Sequence, residues 1–391
     1  MKDESKIVVA GRHPENYEGA VNPPVYHAST IVSRTLGEWE DSRRRREAGE
    51  RGTFYGRSGT PTSFALEDFV TELEGGHRAR LFPSGIAAIA TVLTAYLNAG
   101  DHILVADNVY GPCRRLCQRF LTRFGVTHSF FDPLRPEEVE ALFQPNTKAL
   151  YLEAPGSLTF EMMDVPRLAA LGRAKEATVM MDNTWASPLF FKPFQHGIDV
   201  SIHAATKYLV GHSDAMLGIA SSSEAAWPLL AECTTDLGQC AGPDDVYLGQ
   251  RGARTLAVRL QRHAENALAL ADWFWSRPEV ECVMYPGHPR DPGHQIWQRD
   301  FLGASGLFGV TLKPLSKPAL TAFVDRLQFF HLGASWGGYE SLILVTHPND
   351  MRSVTAWPHP GPTLRFHAGL EAVEDLILDL EAGFQQMRAA A

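Results

Sequence analysis

A single lysine, Lys207, lies in a stretch of small and apolar residues, HAATKYLVGH, that runs from 203 to 212. A solvated lysine needs no such surroundings. A lysine that must lose its proton and attack a carbonyl does need them, because desolvation and a nearby cation favour the neutral amine. Taken alone, a lysine at this place is more often an ordinary surface residue near a strand end. The stretch still makes Lys207 the first candidate for covalent or base chemistry.

Further positions complete a pattern that suits an aromatic aldehyde carrying a phosphate. Asp182, in VMMDNTW, could pair with a protonated pyridine nitrogen and keep the ring electron-poor. Ser84 and Gly85, in FPSGIAAIAT, open a helical run whose free N–H groups suit a phosphate. Tyr110, in DNVYGPC, could stack on a flat ring. Each feature alone has a simpler reading as a turn acid, a helix cap or a packed aromatic, but their order along one series favours pyridoxal phosphate.

The elements that must position these residues begin at about residue 61, where short apolar runs alternate with helical ones. This alternation predicts an α/β fold with a mostly parallel central sheet covered on both faces. Ligands of such sheets bind beyond the carboxyl ends of the strands, so we expect the chemistry just after each run. The predicted strands are 102–107, 148–155, 178–184, 200–205 and 215–222, and the predicted helices are 85–97, 114–125 and 165–176.

The two ends of the chain differ from this central part. Residues 1–58 are rich in Gly, Pro, Arg and Asn, and we expect an irregular N-terminal arm that contacts a neighbouring subunit. A long helix over 255–277 leads to a smaller C-terminal α/β domain with a closing amphipathic helix. The predicted strands of that domain are 305–313, 342–347 and 363–369, and the predicted domains are 1–58 for the arm, 59–252 for cofactor binding and 253–391.

Composition excludes several classes of function. The 391 residues are 45% hydrophobic, which is enough for large cores, and the net charge of −9 with one short basic run at 43–46 argues against nucleic acid as a partner. Five cysteines without a repeated Cys/His spacing predict no metal site and a reducing compartment. The charged start and the lack of a long apolar run predict a cytoplasmic protein with no membrane association.

Over essentially its whole length the chain resembles the Cys/Met-metabolism family of pyridoxal-phosphate enzymes, and within it the bacterial cystathionine β-lyases. The resemblance implies the PLP-dependent transferase fold of type I and a homotetramer built from dimers. The stretches that carry it are long and come in order, among them FYGRSGTPT, LFPSGIAAI, PNTKALYLEAPGS, MMDNTWASPLFFKP, GIDVSIHAATKYLVGHSDAMLG, RGARTLAVRL and SWGGYESL.

Position by position, the resemblance implies how pyridoxal 5′-phosphate would be held. Lys207 would bond covalently to the cofactor and later serve as the catalytic base, and Asp182 would pair with the pyridine nitrogen. Gly85 and Ile86 would offer backbone N–H groups to the phosphate. The other implied cofactor contacts are the hydroxyl of Thr206, the stacked ring of Tyr110, and Tyr55 and Arg57 from a neighbouring subunit.

The resemblance also implies a substrate site and a reaction. Arg365, in LRFHAGLE, would clamp the α-carboxylate of a small sulfur amino acid, a task that suits a planar guanidinium. The implied reaction is α,β-elimination of L-cystathionine to homocysteine, pyruvate and ammonia, a step of methionine biosynthesis. Ser335, Trp336 and Tyr55 would line the substrate pocket, and the catalytic residues would be Lys207 and Tyr110, either of which would protonate the departing thiol.

Three positions depart from the family pattern and leave the leaving group open. Ser58 stands where many relatives carry a second arginine, Arg115 where some carry an acid, and Ala334 where Tyr or Phe is common. We expect all three to lie towards the distal part of the substrate. The alternatives are a β-lyase for another cysteine S-conjugate or cystine, and a γ-elimination or γ-replacement enzyme. A non-enzymatic binding protein with a dead site is a further alternative, which failure to take up pyridoxal phosphate would favour.

Overall fold

The central sheet is built from seven short strands, which are β1 (Arg78–Phe82), β2 (His102–Ala106), β3 (Thr127–Phe131), β4 (Thr147–Glu153), β5 (Thr178–Asp182), β6 (Val200–His203) and β7 (Gly218–Ser222). In the computed structural model, which describes residues 1–391, their order is β1-β7-β6-β5-β4-β2-β3. The strands from β6 to β3 are all parallel, whereas β7 runs antiparallel to both β1 and β6. β2 and β6 are buried along their whole length and β5 along all but its first residue, as the continuous apolar runs predict.

Helices cover both sheets of the protein and form its N-terminal arm. They are α1 (Asp3–Val9), α2 (Leu36–Glu47), α3 (Pro61–Glu74), α4 (Gly85–Tyr96), α5 (Gly111–Arg115), α6 (Val165–Ala174), α7 (Ser187–Phe190), α8 (Trp227–Asp236), α9 (Pro243–Ala253), α10 (Leu256–Trp275), α11 (His294–Asp300), α12 (Lys317–Arg326) and α13 (Val373–Ala389). Short 3₁₀ turns occupy Pro14–Asn16, Gly56–Ser58, Leu121–Phe124, Val139–Leu142, Pro193–His196 and Pro348–Met351.

A second sheet of five strands forms the C-terminal part, and its strands are β8 (Val280–Met284), β9 (Leu307–Leu312), β10 (His331–Leu332), β11 (Leu342–Thr346) and β12 (Thr363–His367). Their order is β10-β11-β12-β9-β8, and every pair except β10 with β11 is antiparallel. One continuous core of buried side chains joins this sheet to the central one. At their contact the indole N–H of Trp185 donates to the carbonyl of Leu307 at 2.9 Å.

The N-terminal arm is less irregular than its composition predicts, since it contains α1 and α2. α1 is anchored on the rest of the chain, because the guanidinium of Arg254 donates to the carbonyls of Ile7 and Ala10, each at 2.8 Å. α2 begins with the side chain of Thr35 accepting from the N–H of Glu38 at 3.1 Å. No residue of α2 is buried in this chain, so the basic run 43–46 is exposed as expected.

Four strands and several helices were not predicted, and one predicted helix is divided into shorter turns. The helices that were not predicted include α3, α8, α9, α11 and α12. β1, β3, β8 and β10 were not predicted; β1 alternates arginines with apolar residues, and β10 has only two residues, so neither gives an apolar run. The predicted helix 114–125 is instead α5, a π-helical turn over Leu116–Phe120 and a 3₁₀ turn that ends at Gly125 with φ +80°. The domain limits 59–252 and 253–391 stay a prediction. No helix has the length and apolar character needed to span a membrane.

Candidate active site

A cavity of about 300 Å³ opens beyond the carboxyl ends of the parallel strands, as the fold rule predicts. Tyr110 follows β2, Asp182 ends β5, and Lys207 lies four residues after β6. Other walls come from the start of α4 and from the C-terminal sheet. The charged side chains that line the cavity are Arg115, Glu153, Asp182, Lys207 and Arg365.

The amine of Lys207 lies among the side chains that line this cavity. It donates to the hydroxyl of Ser335 at 2.7 Å and lies 5.4 Å from the ring centre of Trp336. Burial lowers the pKa of Lys207 to about 8, and the positive charge of Arg365 acts in the same direction. Gly337 explains the close approach of the SWGG segment, because its φ is +90° and a side chain there would begin 2.9 Å from the backbone of Lys207. The amine is therefore able to act in its neutral form near physiological pH.

Asp182 is buried at the floor of the cavity and is fixed by its neighbours. The backbone N–H of Thr184 donates to its carboxylate at 3.0 Å, and the Thr184 hydroxyl donates to the same oxygen. The N–H of Ala204 in turn donates to that hydroxyl oxygen at 2.9 Å. Burial raises the pKa of Asp182, although the hydrogen bonds from Thr184 oppose the shift. A cationic ring nitrogen placed here would supply the missing partner charge.

The N-terminus of α4 offers two free donors to the same cavity. The hydroxyl of Ser84 accepts from the N–H of Ala87 at 3.2 Å and so caps the helix. The N–H groups of Gly85 and Ile86 have no acceptor within the chain. Gly85 is required, since a Cβ there would lie 2.6 Å from that of Ala204. An anion such as a phosphate fits this helix end.

Arg365 and Tyr110 face the cavity from two different parts of the fold. Arg365, on β12, donates to the carbonyls of Ser335 at 2.9 Å and Gly333 at 3.3 Å. Burial lowers the pKa of Arg365 to about 10, which still leaves it cationic at neutral pH. The N–H of Tyr110 donates to the carboxyl of Glu153 at 2.6 Å. Burial raises the pKa of the Tyr110 phenol, and Asp182 and Glu153 add to the shift, so this hydroxyl keeps its proton.

Not every predicted site residue faces this cavity in its own chain. The hydroxyl of Thr206 lines it, but donates to the carbonyl of Leu217 at 3.1 Å. The guanidinium of Arg57 donates to the carbonyl of Thr235 at 2.9 Å, and the hydroxyl of Tyr55 accepts from Ser29 at 3.4 Å. Neither Tyr55 nor Arg57 lines the cavity of its own chain, so their predicted roles depend on a neighbouring subunit.

The three positions that depart from the family pattern do not lie together. Arg115 and Ala334 line the cavity. Ser58 lies instead beside Arg57 in a separate hollow between the arm and β1. Within one chain, Arg115 and Ala334 therefore share the cavity and Ser58 does not, and the position of all three relative to the distal part of the substrate stays a prediction.

Sequence reasoning missed a buried network beneath the cavity floor. The carboxylate of Glu74 accepts from Asn183 at 3.0 Å, from Ser201 at 2.7 Å and also from Ser221, and lies 2.7 Å from the imidazole of His203. Burial alone would raise the pKa of Glu74, but His203 and the hydroxyls lower it overall. Glu74 ends α3 shortly before the LFPSGIAAI stretch, but it follows no strand and its partners lie far away in sequence, so the strand-end pattern gave it no role.

Glu153 was also missed, although it had a sequence signal. It ends β4 directly beside Asp182 on β5, and its place after a buried strand is the same as that of Asp182. Burial raises the pKa of Glu153 well above its usual range, and the neighbouring Asp182 adds to the shift. The hydrogen bond from the N–H of Tyr110 to the carboxyl of Glu153 fixes the backbone at Tyr110.

These residues fit pyridoxal phosphate, since an amine of lowered pKa, a buried carboxyl and two free N–H groups share one cavity. The family model for the Cys/Met metabolism PLP-dependent enzymes matches residues 4–385. The chain belongs to this family. It is an enzyme whose cofactor is pyridoxal 5′-phosphate, and the predicted fold, enzyme class and cofactor are confirmed. The individual roles of the site residues stay predictions.

Similar proteins within and around the family carry out more than one reaction. The chain is 43% identical to cystathionine β-lyase MetC of Escherichia coli K12 over 99% of both chains. It is 37% identical to an L-alanine/L-glutamate racemase of Wolbachia pipientis wMel, over 99% of this chain and 98% of that protein. The solved structure of a cystathionine γ-lyase from Lactobacillus plantarum with L-serine superposes with a TM-score of 0.89 at 33% identity, over 99% of this chain and all of the other.

Proposed function

We propose that this protein is a carbon–sulfur β-lyase that converts L-cystathionine and water to homocysteine, pyruvate and ammonia. The observation that carries this choice is the near-full-length similarity to the curated Escherichia coli cystathionine β-lyase. When bound, the cofactor supplies the electron sink that stabilises negative charge at the substrate α-carbon. The residues of the cavity supply binding, orientation and proton transfer.

Lys207 is the residue proposed to hold the cofactor and then to remove the α-proton. Its lowered pKa supports both tasks, because only a neutral amine is a nucleophile or a base. The hydroxyl of Ser335 accepts a hydrogen bond from the amine at 2.7 Å and so fixes its position when no cofactor is attached. Asp182 would face the ring nitrogen, and Gly85 and Ile86 would hold the phosphate together with Thr206, if its hydroxyl turned away from the Leu217 carbonyl.

Arg365 is proposed to bind the substrate α-carboxylate. Its guanidinium is already oriented by two backbone carbonyls, so little conformational freedom is lost when the substrate binds. Ser335 and Trp336 would line the space between this arginine and Lys207. Tyr110, whose phenol keeps its proton, would stack on the ring and donate a proton to the departing thiolate.

We also propose a cytoplasmic homotetramer built from dimers, in which Tyr55 and Arg57 reach a neighbour's cavity. Exposed apolar residues of the arm support this assembly, because an arm in water would not keep them uncovered. Val32, Leu36 and Trp39 are 83%, 72% and 55% exposed in the single chain. The role in methionine biosynthesis follows from the proposed reaction.

A second candidate is γ-elimination, which the likeness to the Lactobacillus plantarum γ-lyase structure favours. The two reactions cut opposite bonds at the sulfur of the same substrate. β-Elimination of cystathionine releases pyruvate and homocysteine, whereas γ-elimination releases 2-oxobutyrate and cysteine. The similarity to a racemase adds a third outcome, in which the α-proton is removed and returned with no bond to sulfur broken.

One experiment separates these reactions. The purified holoprotein is incubated with L-cystathionine, and the keto acid, the free thiol and the configuration of the remaining amino acid are measured by chromatography. Pyruvate with homocysteine in equal amounts is the expected result. 2-Oxobutyrate with cysteine would replace the proposal by the γ-lyase, and intact but racemised amino acids would replace it by the racemase. Parallel assays with L-cystine and S-alkyl-L-cysteines test the other β-lyase substrates.

A further inference from the structure

Arg115 is the one cation of the cavity whose side chain has no hydrogen-bond or ion-pair partner. Lys207 contacts Ser335, and Arg365 contacts two carbonyls. The preceding residue, Arg114, is buried and paired to Asp107 at 2.7 Å. Arg115, by contrast, is exposed and lines the same cavity as Lys207. Its charge is therefore available to a ligand.

Arg115 and Arg365 reach the cavity from different elements of the fold. Arg365 is buried on β12, whereas Arg115 is exposed at the end of α5. The surroundings of Arg115 are mostly apolar. Gly111 permits a close contact there, since a Cβ at 111 would lie 2.1 Å from the methyl carbon of Met351. The other apolar side chains of the cavity include Met216, Ala334 and Leu344.

The outer rim that carries Arg115 is fixed rather than loose. The carboxylate of Asp107 accepts from the N–H groups of Ser353 and Val354 at 3.0 and 2.9 Å, and also from Arg114. The guanidinium of Arg114 lies 3.7 Å from the ring centre of Phe130. These contacts tie the segment around Met351 to the helical turn from which Arg115 projects, so the position of Arg115 relative to the cavity is defined.

No carboxylate of the cavity is placed to bind an ammonium group beside Arg115. The two acids of the lining are Asp182 and Glu153, and both lie at the inner strand ends. Asp182 is held by Thr184 and would meet the cofactor ring. Glu153 already accepts from the N–H of Tyr110 at 2.6 Å, which holds its carboxyl at the end of β4. Within one chain, a distal ammonium would therefore meet the positive charge of Arg115 without a carboxylate that is free to pair with it.

We propose that Arg115 binds a carboxylate on the sulfur substituent of the substrate and so makes the enzyme select cysteine S-conjugates with an anionic leaving thiol. The inference rests on the proposed β-lyase function and names its substrate class. In L-cystathionine, Arg115 would take the carboxylate of the homocysteine half. The reaction is RS–CH₂–CH(NH₃⁺)–COO⁻ with water giving RSH, pyruvate and ammonium: the C–S bond breaks, its electron pair leaves with sulfur, and sulfur receives the proton.

The test compares substrates that differ only in the charge of R. The holoenzyme is assayed for pyruvate release from S-(2-carboxyethyl)-L-cysteine, S-(2-aminoethyl)-L-cysteine and the neutral S-propyl-L-cysteine, the last as the reference for each variant. We expect kcat/KM for the carboxyethyl substrate to exceed that for the aminoethyl substrate about tenfold, mainly through KM, as one modest charge contact allows. In Arg115→Gln this ratio should fall about tenfold, and in Arg115→Glu it should invert.

A matched control and a second readout keep the outcomes distinct. Arg119→Gln changes an exposed arginine on the next helical turn that does not line the cavity, and should leave the ratio unaltered. Inhibition of S-propyl-L-cysteine turnover by 3-mercaptopropionate should weaken in Arg115→Gln, whereas inhibition by cysteamine should not. A ratio that Arg115→Gln leaves unchanged, or a preference for the aminoethyl substrate, overturns the proposal for Arg115. Absence of pyruvate from all three substrates and cystathionine would instead overturn the β-lyase function.

Discussion

The inner and outer ends of the active-site cavity are built in different ways. At the inner end the charged side chains are held by neighbours: Asp182 by Thr184, and Lys207 by Ser335. At the outer end Arg115 is exposed and unpaired, among Met351 and other apolar side chains. The inner end thus fixes geometry before any ligand arrives, which is the requirement for reaction chemistry. The outer end leaves a charge for the substrate to satisfy.

This contrast separates the residues that carry the family resemblance from the residues that are specific to this chain. The inner residues are those whose motifs carry the family resemblance, so the chemistry follows from family membership. The outer residues Arg115 and Ala334 are positions at which the sequence predicts a departure from the family pattern, and a change at Arg115 should cost little structurally because its side chain makes no hydrogen bond or ion pair. We therefore expect substitutions at the inner end to have large effects on rate or stability, and substitutions at the outer end to change substrate preference.

The largest expected effect is that of Lys207→Ala. If Lys207 has its proposed roles, loss of the amine removes both the covalent attachment and the base, so turnover should fall at least ~10⁴-fold, the upper range of one acid–base contribution. The visible absorbance of the bound cofactor should disappear with it. The measurements are pyruvate release under saturating substrate and the absorption spectrum after dialysis.

Lys148→Ala is the matched control for this substitution. Lys148 is an exposed lysine on β4 that does not line the cavity, so its removal should change neither spectrum nor rate. A Lys207→Ala protein that kept the wild-type spectrum and turned over substrate at a normal rate would contradict the assignment of the inner end.

The free energy of unfolding should also depend more on the inner end than on the outer end, although the effect is smaller than that of Lys207→Ala on the rate. Glu74→Gln removes the charge to which His203, Ser201 and Ser221 are bonded, and should lower the free energy of unfolding by about 3 kcal/mol. Arg115→Gln breaks no contact and should change it by less than about 0.5 kcal/mol. Urea titration of the holoproteins at one concentration measures both.

The pH dependence of stability gives a second reading of Glu74. The pKa of Glu74 is lowered in the folded protein. Its contribution to the free energy of unfolding is therefore complete at a pH above the pKa that Glu74 has in the unfolded chain, and is lost as the pH falls through the pKa that it has in the folded protein. The difference in free energy of unfolding between the wild type and Glu74→Gln should therefore become smaller as the pH is lowered into the acid range. If Glu74→Gln does not fold, Ser201→Ala removes one donor and should cost about 1 kcal/mol. Equal stabilities of the Glu74 and Arg115 variants would remove the distinction between the two ends.

The sequence predicted the inner end well because its residues sit directly after recognisable strands. Asp182 and Lys207 follow continuous apolar runs, and the start of α4 follows from a Ser–Gly pair before a helical run. In a parallel sheet all such strand ends face one edge, so residues far apart in sequence are brought together by rule. The same rule would have found Glu153 at the end of β4.

The rest could not be predicted because it depends on contacts without a local pattern. Glu74 reaches His203 across 129 positions, and Asp107 reaches the backbone of Ser353 across 246. β1 was missed since its arginines interrupt the apolar pattern, and its antiparallel pairing with β7 has no signal in spacing. The unpaired state of Arg115 is likewise a property of the folded rim and not of its sequence neighbours.

Cofactor uptake by the apoprotein should depend on pH through Lys207. Only the neutral amine attacks the aldehyde, and with a pKa of about 8 roughly one amine in a hundred is neutral at pH 6. The rate of the absorbance change on mixing with pyridoxal phosphate should therefore rise about a hundredfold from pH 6 to a plateau above pH 9. Arg365→Gln removes a charge that lowers this pKa, so the midpoint should move to higher pH, whereas Arg119→Gln should not move it. A rate that is flat over this range would contradict the lowered pKa.

The smallest expected effect concerns the two arm residues that lie outside the cavity of their own chain. If Tyr55 and Arg57 complete a neighbour's site, Arg57→Ala should weaken cofactor retention several-fold, about 1 to 2 kcal/mol for a lost contact to a charged group.

Mixing subunits that carry different substitutions tests directly whether two chains share one active site. Subunits with Lys207→Ala, refolded together with subunits carrying Tyr55→Phe and Arg57→Ala, should regain activity, because a mixed pair contains one site with Lys207 and both arm residues intact. Each variant refolded alone is the control. Activity of the mixture equal to the mean of the two controls would place Tyr55 and Arg57 outside any shared site, and the outer end of the cavity would then be formed by one chain.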